Sequence, residues 1–121
     1  MIVAGFGFRA SAGLDALRAA FDTARTGQPR VIALAAPADK IALVDRLGAA
    51  LGLPVIPVAA EALIAVDTVT RSATSLRYRQ TGSVAEAAAL AAAGPGARLL
   101  AARHLSPDRM ATCAIAQGFA S

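Results

Sequence analysis

The sequence predicts an α/β protein, a three-layer α/β/α sandwich whose mixed sheet has about five strands. Short apolar runs alternate with amphipathic segments of helical period over the first two thirds of the chain. One of these runs, residues 31–35, is continuously apolar, as is typical of a central parallel strand covered on both faces. Two further apolar runs follow each other near the end, which adds neighbouring strands and makes the sheet mixed.

Each element rests on its own local signal. Ser11 is expected to cap the first helix, and Asp39 precedes the second, in which apolar residues recur at helical spacing. Pro57 indicates that the third strand lies at an edge or ends there. Residues 67–82 give no regular assignment. The predicted strands cover residues 2–4, 31–35, 55–58, 98–102 and 110–116, and two later helices cover 60–65 and 83–93.

Length and composition limit the class of protein. The 121 residues suit one domain, 1–121, with one core. No apolar run approaches the roughly 18 residues of a membrane span, and the start lacks the features of a signal peptide. The lone cysteine, Cys113, excludes an intrachain disulfide and is expected to be inert core. We therefore expect a cytoplasmic protein that does not associate with membranes.

The charge is uneven along the chain. Residues 1–67 carry six basic and six acidic side chains, whereas residues 68–121 carry six arginines and two acids and thus the whole net charge of +4. Such an excess attracts anions. Tyr78 is the only aromatic residue among these arginines, and no recognition helix is evident, so we expect no nucleic-acid partner. A small polycarboxylate or phosphate ligand fits better, with a merely solvated basic surface as the alternative.

A glycine pair follows the first strand, at Gly5 and Gly7. A dinucleotide site is not supported, because Ala10 stands at the third glycine position and no acid follows the second strand. The glycines are expected to clear space at the carboxyl edge of the sheet, where α/β proteins usually bind ligands. Arg9 then stands where it could pair with a carboxylate, unless it is a solvated residue of a tight turn.

Two helix starts carry further candidate residues. Lys40 opens the second helix, against the helix dipole, and follows the second strand to the same edge as Arg9; an exposed lysine without a role is the alternative. Ser83 and Glu86 have the spacing of a capping box, in which the hydroxyl accepts the amide of Glu86 and the carboxylate reaches back to the cap. An ordered helix start of this kind favours anions, and Glu86 is a candidate for a catalytic residue; a purely structural capping box is the alternative.

No established catalytic or metal motif is present. His104 is the only histidine, and no Cys, His and acid cluster offers a metal site, so we expect neither metal nor cofactor. A Ser83, His104 and Asp108 set can be assembled on paper, but no spacing places these residues together.

These motifs together resemble the CobE / CbiG C-terminal domain family of cobalamin (vitamin B12) biosynthesis, from residue 2 to about residue 117. The most specific piece is Gly82-Ser83-Val84-Ala85-Glu86-Ala87-Ala88-Ala89-Leu90, and Gly5-Phe6-Gly7-Phe8-Arg9 matches the opening motif of the family. Lys40 also matches. The sequence departs from the pattern at residues 10–12, at Leu43 in place of a common glutamate, and at Arg103 in place of a common lysine.

The resemblance implies a three-layer α/β fold and a place in the corrin pathway. It also implies a precorrin, a macrocycle edged with carboxylates, as ligand, and other corrin-pathway enzymes as partners; a homodimer stays open. The ligand-binding residues carried over or expected from the motifs are Gly5, Gly7, Arg9, Lys40, Gly82, Ser83, Glu86 and Arg103.

Two functions remain open from the sequence. One is an enzyme component acting on a precorrin by hydrolysis or C–C cleavage, since the larger relative of the anaerobic branch opens the ring-A lactone of cobalt-precorrin-5A and releases acetaldehyde. The other is a non-catalytic module that binds and transfers a labile tetrapyrrole, which the lack of a visible nucleophile–base pair favours slightly. An anion-binding α/β domain unrelated to corrins is a further alternative.

Overall fold

Five strands form one mixed sheet in the computed structural model, which describes residues 1–66, 68, 76 and 82–119. The strands are β1 (Ile2–Phe8), β2 (Ala33–Pro37), β3 (Val55–Val58), β4 (Arg98–Leu105) and β5 (Ala111–Gln117), in the spatial order β3-β2-β1-β5-β4. The first three run parallel, and β5 is antiparallel to both β1 and β4. The predicted α/β class and the five-stranded mixed sheet are confirmed.

Helices cover both faces of this sheet. They are α1 (Leu14–Arg25), α2 (Ile41–Leu51), α3 (Ala60–Ile64) and α4 (Val84–Ala93), and a 3₁₀ turn at Ala38–Lys40 leads into α2. On one face, α1 and α2 pack over a core that includes Phe6, Leu17 and Leu34. On the other face, α3 and α4 enclose a smaller cluster around Val3 and Leu63. Apolar burial on both faces is what makes the architecture three-layered.

The central strand predicted at residues 31–35 is present as β2, but it begins and ends two residues later in the chain. β2 covers 33–37 instead of 31–35, and it pairs with β1 on one side and β3 on the other. The ladder with β1 begins at the pair Val3 and Ala33, while Ile32 donates only one hydrogen bond, to the carbonyl of Ile2 at 3.0 Å. Pairing with β1 therefore sets the start of β2, and hydrophobicity alone does not. β3, which contains Pro57, lies at an edge as predicted.

The beginnings of two helices differ from the prediction. Ser11 is not the cap of α1: the amide of Ala12 bonds to the carbonyl of Arg9 at 3.0 Å in a preceding turn, and α1 begins after Gly13. Asp39 lies inside the 3₁₀ turn, and Lys40 occupies the N-cap position of α2. In both places a local turn takes the first backbone hydrogen bonds, which side-chain preferences do not reveal.

The later elements agree with the sequence. α3 and α4 lie where helices are predicted, and the last two strands are neighbours joined by the loop that contains Asp108. β4 extends further than predicted, to Leu105. Most of residues 67–82, for which the sequence gives no regular assignment, lie outside the described residues. No helix in the described ranges is long and apolar enough to cross a membrane.

Candidate ligand-binding edge

Four strands end on the same side of the sheet, which we call the carboxyl edge. β1 ends at Phe8, β2 at Pro37 and β3 at Val58. Since β4 is antiparallel to β5, and β5 to β1, β4 also ends here, at Leu105. Ligands of open α/β sheets bind outside the carboxyl ends of the strands, so a ligand site is expected at this edge.

Lys40 is held against the end of β1. Its Nζ donates a hydrogen bond to the carbonyl oxygen of Phe8 at 2.6 Å and lies 4.9 Å from the centroid of the Phe8 ring. A carbonyl and an aromatic face are both favourable partners for an ammonium group, and together they fix a long, flexible side chain. Lys40 therefore presents a positive charge at the carboxyl edge, next to β1, as its position after β2 predicts.

Arg9 is the residue next to that contact. It is exposed, and its backbone amide donates to the carbonyl of Met110 at 2.9 Å, which continues the β1–β5 ladder past the end of β1. Arg9 and Lys40 thus flank Phe8, one along the chain and one through space. The structure thus places both residues at the carboxyl edge, as the sequence predicts for residues that follow successive parallel strands.

Gly5 and Gly7 allow α4 to pack closely on β1. A Cβ at Gly5 would lie well inside contact distance of the Ala85 carbonyl and of the Ala89 amide. A Cβ at Gly7 would lie 3.1 Å from the Cβ of Val84 and 3.4 Å from the Ala85 amide. The space that the glycines leave is filled by the helix, so their observed role is in packing. Direct contact of either glycine with a ligand stays a prediction.

The Ser83 cap is confirmed, but only half of the predicted capping box forms as expected. Ser83 Oγ accepts the amide of Glu86 at 3.3 Å. The carboxylate of Glu86 reaches β4, where its Oε2 accepts the amide of Arg103 at 3.0 Å. β4 carries an extra residue opposite β5 between Ala101 and His104, and this bulge frees the Arg103 amide from the ladder. Glu86 is fully buried and satisfies that donor.

The first turn of α4 starts at the carboxyl edge, because Val84 and Ala85 lie against Gly7 near the end of β1. Gly82 and Ser83 are buried there, whereas Arg103 is half-buried on β4, two residues before the strand ends. Positive partial charge at a helix start acts over the first turn and does not need direct exposure. The carboxyl edge therefore combines the start of α4 with Arg9 and Lys40. Arg103 lies on β4, the outermost strand on that side of the sheet.

The other residues that the sequence analysis considered behave as core or surface. Cys113 is buried, and burial raises the pKa of its thiol well above the ordinary value, so inert core is a fitting description. His104 is exposed on β4. Asp108 is engaged by the Ser106 hydroxyl at 2.6 Å, so the Ser83, His104 and Asp108 set gains no support. Among the described residues, no cluster of His, Cys and acids could hold a metal ion.

The sequence did not single out Phe8 as a partner of Lys40, or the turn between β4 and β5. The turn brings Arg109 to the carboxyl edge with a positive φ of 63°, and Thr112 Oγ1 donates to the Gly7 carbonyl at 3.1 Å. Phe8 could have been found from the sequence, because it is an aromatic residue directly before Arg9. The place of the turn depends on pairing between distant strands, which the sequence does not show.

At the opposite edge, a cavity of about 230 Å³ is lined by Gly96, Arg98, Gln117, Gly118 and Phe119, none of which is a predicted site residue.

Fold and edge together define a small α/β sandwich domain with positive charge at the carboxyl ends of its parallel strands. A family model described as "Cobalamin synthesis G C-terminus" matches residues 2–116. The chain therefore belongs to this family of cobalamin biosynthesis proteins, and the resemblance seen in the sequence is confirmed. Among curated proteins, none matches the chain significantly.

Solved structures agree with that assignment. CobE, described as a protein from the cobalamin (vitamin B12) biosynthetic pathway, is 32% identical with a TM-score of 0.85, over 96% of this chain and 89% of its own. The cobalamin biosynthesis protein chiG from Agrobacterium tumefaciens is 36% identical with a TM-score of 0.74, over 98% of this chain and 99% of its own.

A more distant structure shares the fold alone. It is a cobalamin biosynthesis protein G homologue from Sulfolobus solfataricus, 19% identical with a TM-score of 0.72 over 95% of this chain. The present chain spans 36% of that protein's length.

Proposed function

We propose that this protein binds a precorrin intermediate of cobalamin biosynthesis at its carboxyl edge and transfers it, as a non-catalytic module. The observation that carries the proposal is the contact of Lys40 with Phe8, which fixes one cation beside another, Arg9, at the ligand side of an α/β sheet. A precorrin bears carboxylates around its rim, and paired cations are the groups that recognise carboxylates.

The remaining residues divide by exposure. Arg9 is exposed and Lys40 and Arg103 are half-buried, so these three supply direct contacts to carboxylates. Gly82, Ser83 and Glu86 are buried, so their contribution is to order the start of α4, whose dipole favours negative charge nearby. Glu86 has a structural task, because its fully buried side chain accepts the backbone amide of Arg103 through Oε2.

The test is a titration with cobyrinic acid, a stable corrin whose side-chain carboxylates are not amidated. Arg9→Ala and Lys40→Ala should each weaken binding by about tenfold or more, the range for a hydrogen bond to a charged group. The corrin cobinamide, whose side chains are amides, should bind much less tightly than cobyrinic acid. Equal affinity of the wild type and both variants would show that the basic edge is only surface.

A second measurement separates binding from catalysis. The purified protein is incubated with precorrins of the pathway, and the absorption spectrum and the products are followed. A spectral change without a new product supports the carrier function. A product that accumulates beyond one equivalent per protein would make the chain an enzyme.

A further inference from the structure

The turn between β4 and β5 is tied down by a dense set of hydrogen bonds. The amide of Ser106 donates to the carbonyl of Ala111 at 2.8 Å. In return, the Ser106 hydroxyl oxygen accepts the amide of Ala111 at 3.1 Å. The same hydroxyl donates to Asp108 Oδ1 at 2.6 Å, and that oxygen also accepts the amide of Met110 at 3.0 Å. The backbone of the turn therefore has one well-determined conformation.

Arg109 occupies an unfavourable backbone conformation in this turn. Its φ is 63°, in the left-handed region, where glycine or asparagine would be more stable. The amide of Arg109 bonds to the Ser106 carbonyl at 2.9 Å, so the turn enforces this conformation. An arginine where the backbone favours glycine indicates that the side chain itself has a use, since strained residues cluster at functional sites.

The turn is also bonded to the candidate ligand site. The amide of Arg9 donates to the carbonyl of Met110 at 2.9 Å, so Arg9 and Arg109 emerge from adjacent positions at the carboxyl edge. Both are exposed, and neither guanidinium is ion-paired with any residue that the structure describes. Asp108, the acid closest in sequence, instead directs Oδ1 at Ser106 and Met110.

We propose that Arg9 and Arg109 form a two-arginine clamp for one carboxylate group of the ligand. Guanidinium groups bind carboxylates through two parallel hydrogen bonds, and a rigid turn reduces the conformational entropy lost when the second guanidinium closes on the group. The clamp rests on the proposed function for its natural ligand. It adds Arg109 to the site and assigns the two arginines to a single carboxylate.

The experiment compares Arg109→Gly with Arg30→Gly in the cobyrinic acid titration. Both changes remove one exposed arginine, but Arg30 lies before the amino end of β2, at the opposite edge of the sheet. Arg109→Gly should weaken binding about tenfold or more, while Arg30→Gly should stay within about twofold. Because glycine suits a positive φ, Arg109→Gly should keep or raise the midpoint of urea unfolding, so that lost binding is not lost folding.

A double variant tests the shared carboxylate. If both arginines hold one group, Arg9→Ala with Arg109→Gly should weaken binding less than the product of the two single effects. Multiplicative effects would overturn the clamp, as would an Arg109→Gly protein that binds like the wild type while Arg9→Ala binds weakly.

The clamp can also be tested if the wild type does not bind cobyrinic acid, an outcome that would refute the proposed function. Propane-1,2,3-tricarboxylate is then titrated while NMR follows the arginine Nε–H signals. Shifts of both the Arg9 and the Arg109 signals in the wild type, with the Arg9 shift lost in Arg109→Gly, support the clamp for carboxylates in general. Wild-type signals that do not move, or an Arg9 signal that moves equally in the wild type and in Arg109→Gly, overturn it.

Discussion

Glu86 and Arg103 join two layers of the protein: the buried carboxylate of the helix residue accepts the backbone amide of the strand residue at 3.0 Å. The amide is available because β4 bulges there, and the carboxylate is in reach because Ser83 fixes the first turn of α4. One contact therefore couples the start of the helix to the edge strand that carries Arg103.

We expect Glu86→Ala to destabilise the protein by about 2 kcal/mol or more, because it leaves the Arg103 amide without its acceptor and removes a buried side chain. Glu86→Gln should cost less, since an amide oxygen can still accept that bond. Urea unfolding measures both. Glu61→Ala, an exposed residue in the first turn of α3, is the control. Hydrogen exchange at Arg103 should accelerate only in Glu86→Ala; unchanged exchange would contradict the coupling.

The packing of α4 on β1 predicts a graded effect of alanine at the two glycines. Gly5→Ala places a methyl group against the backbone of residues 85 and 89, which cannot move without displacing the helix, and should cost about 3 kcal/mol or more. Gly7→Ala meets its closest neighbours at 3.1 Å, both of them side-chain atoms, and should cost less. Thermal unfolding of the two variants gives the comparison, and equal losses would show that α4 can shift.

Asp108 should make the stability of the hairpin turn depend on acid pH. The hydrogen bond from Ser106, followed by the amide of Met110, lowers the pKa of this carboxyl below 3.8. Because the pKa of Asp108 is lower in the folded than in the unfolded protein, the ionised carboxylate stabilises the fold fully at pH values above the unfolded-state pKa. This stabilisation is lost as the pH falls through the folded-state pKa. Asp108→Asn should therefore be less stable than the wild type at pH 7, and this difference should shrink towards pH 2.

Urea unfolding at several pH values measures this difference. Asp45→Asn, an exposed position in α2, provides the control and should show a smaller pH dependence. A difference between Asp108→Asn and the wild type that is constant from pH 7 to pH 2 would rule out the carboxylate as its source.

Cys113 should be protected from thiol reagents in the folded protein. It is completely buried in β5, and burial raises the pKa of its thiol, so both access and the reactive thiolate are suppressed. Reaction with a disulfide reagent at pH 8 should be at least about 100-fold slower than in urea-unfolded protein, since it requires opening of a central strand. A fast reaction under native conditions would show that β5 opens readily.

The sequence by itself determined the class of fold, most elements and the family. Continuous apolar runs and helical periodicity are local signals, and they located β3, α3 and α4 closely. It also placed Arg9 and Lys40 at one edge, because residues after successive parallel strands must meet there. The Ser83 cap is local too, since its bond spans three residues.

Only the tertiary structure decided the features that depend on distant pairing. Ladder contacts with β1 set the start of β2, and local turns displaced the beginnings of α1 and α2. Glu86 bonds to a strand 17 residues away because a bulge freed an amide there. Gly5 is needed because a helix lies on it, and the turn that carries Arg109 adjoins Arg9 because β5 pairs with β1. These relationships arise from packing between layers and pairing between strands, which no local pattern encodes.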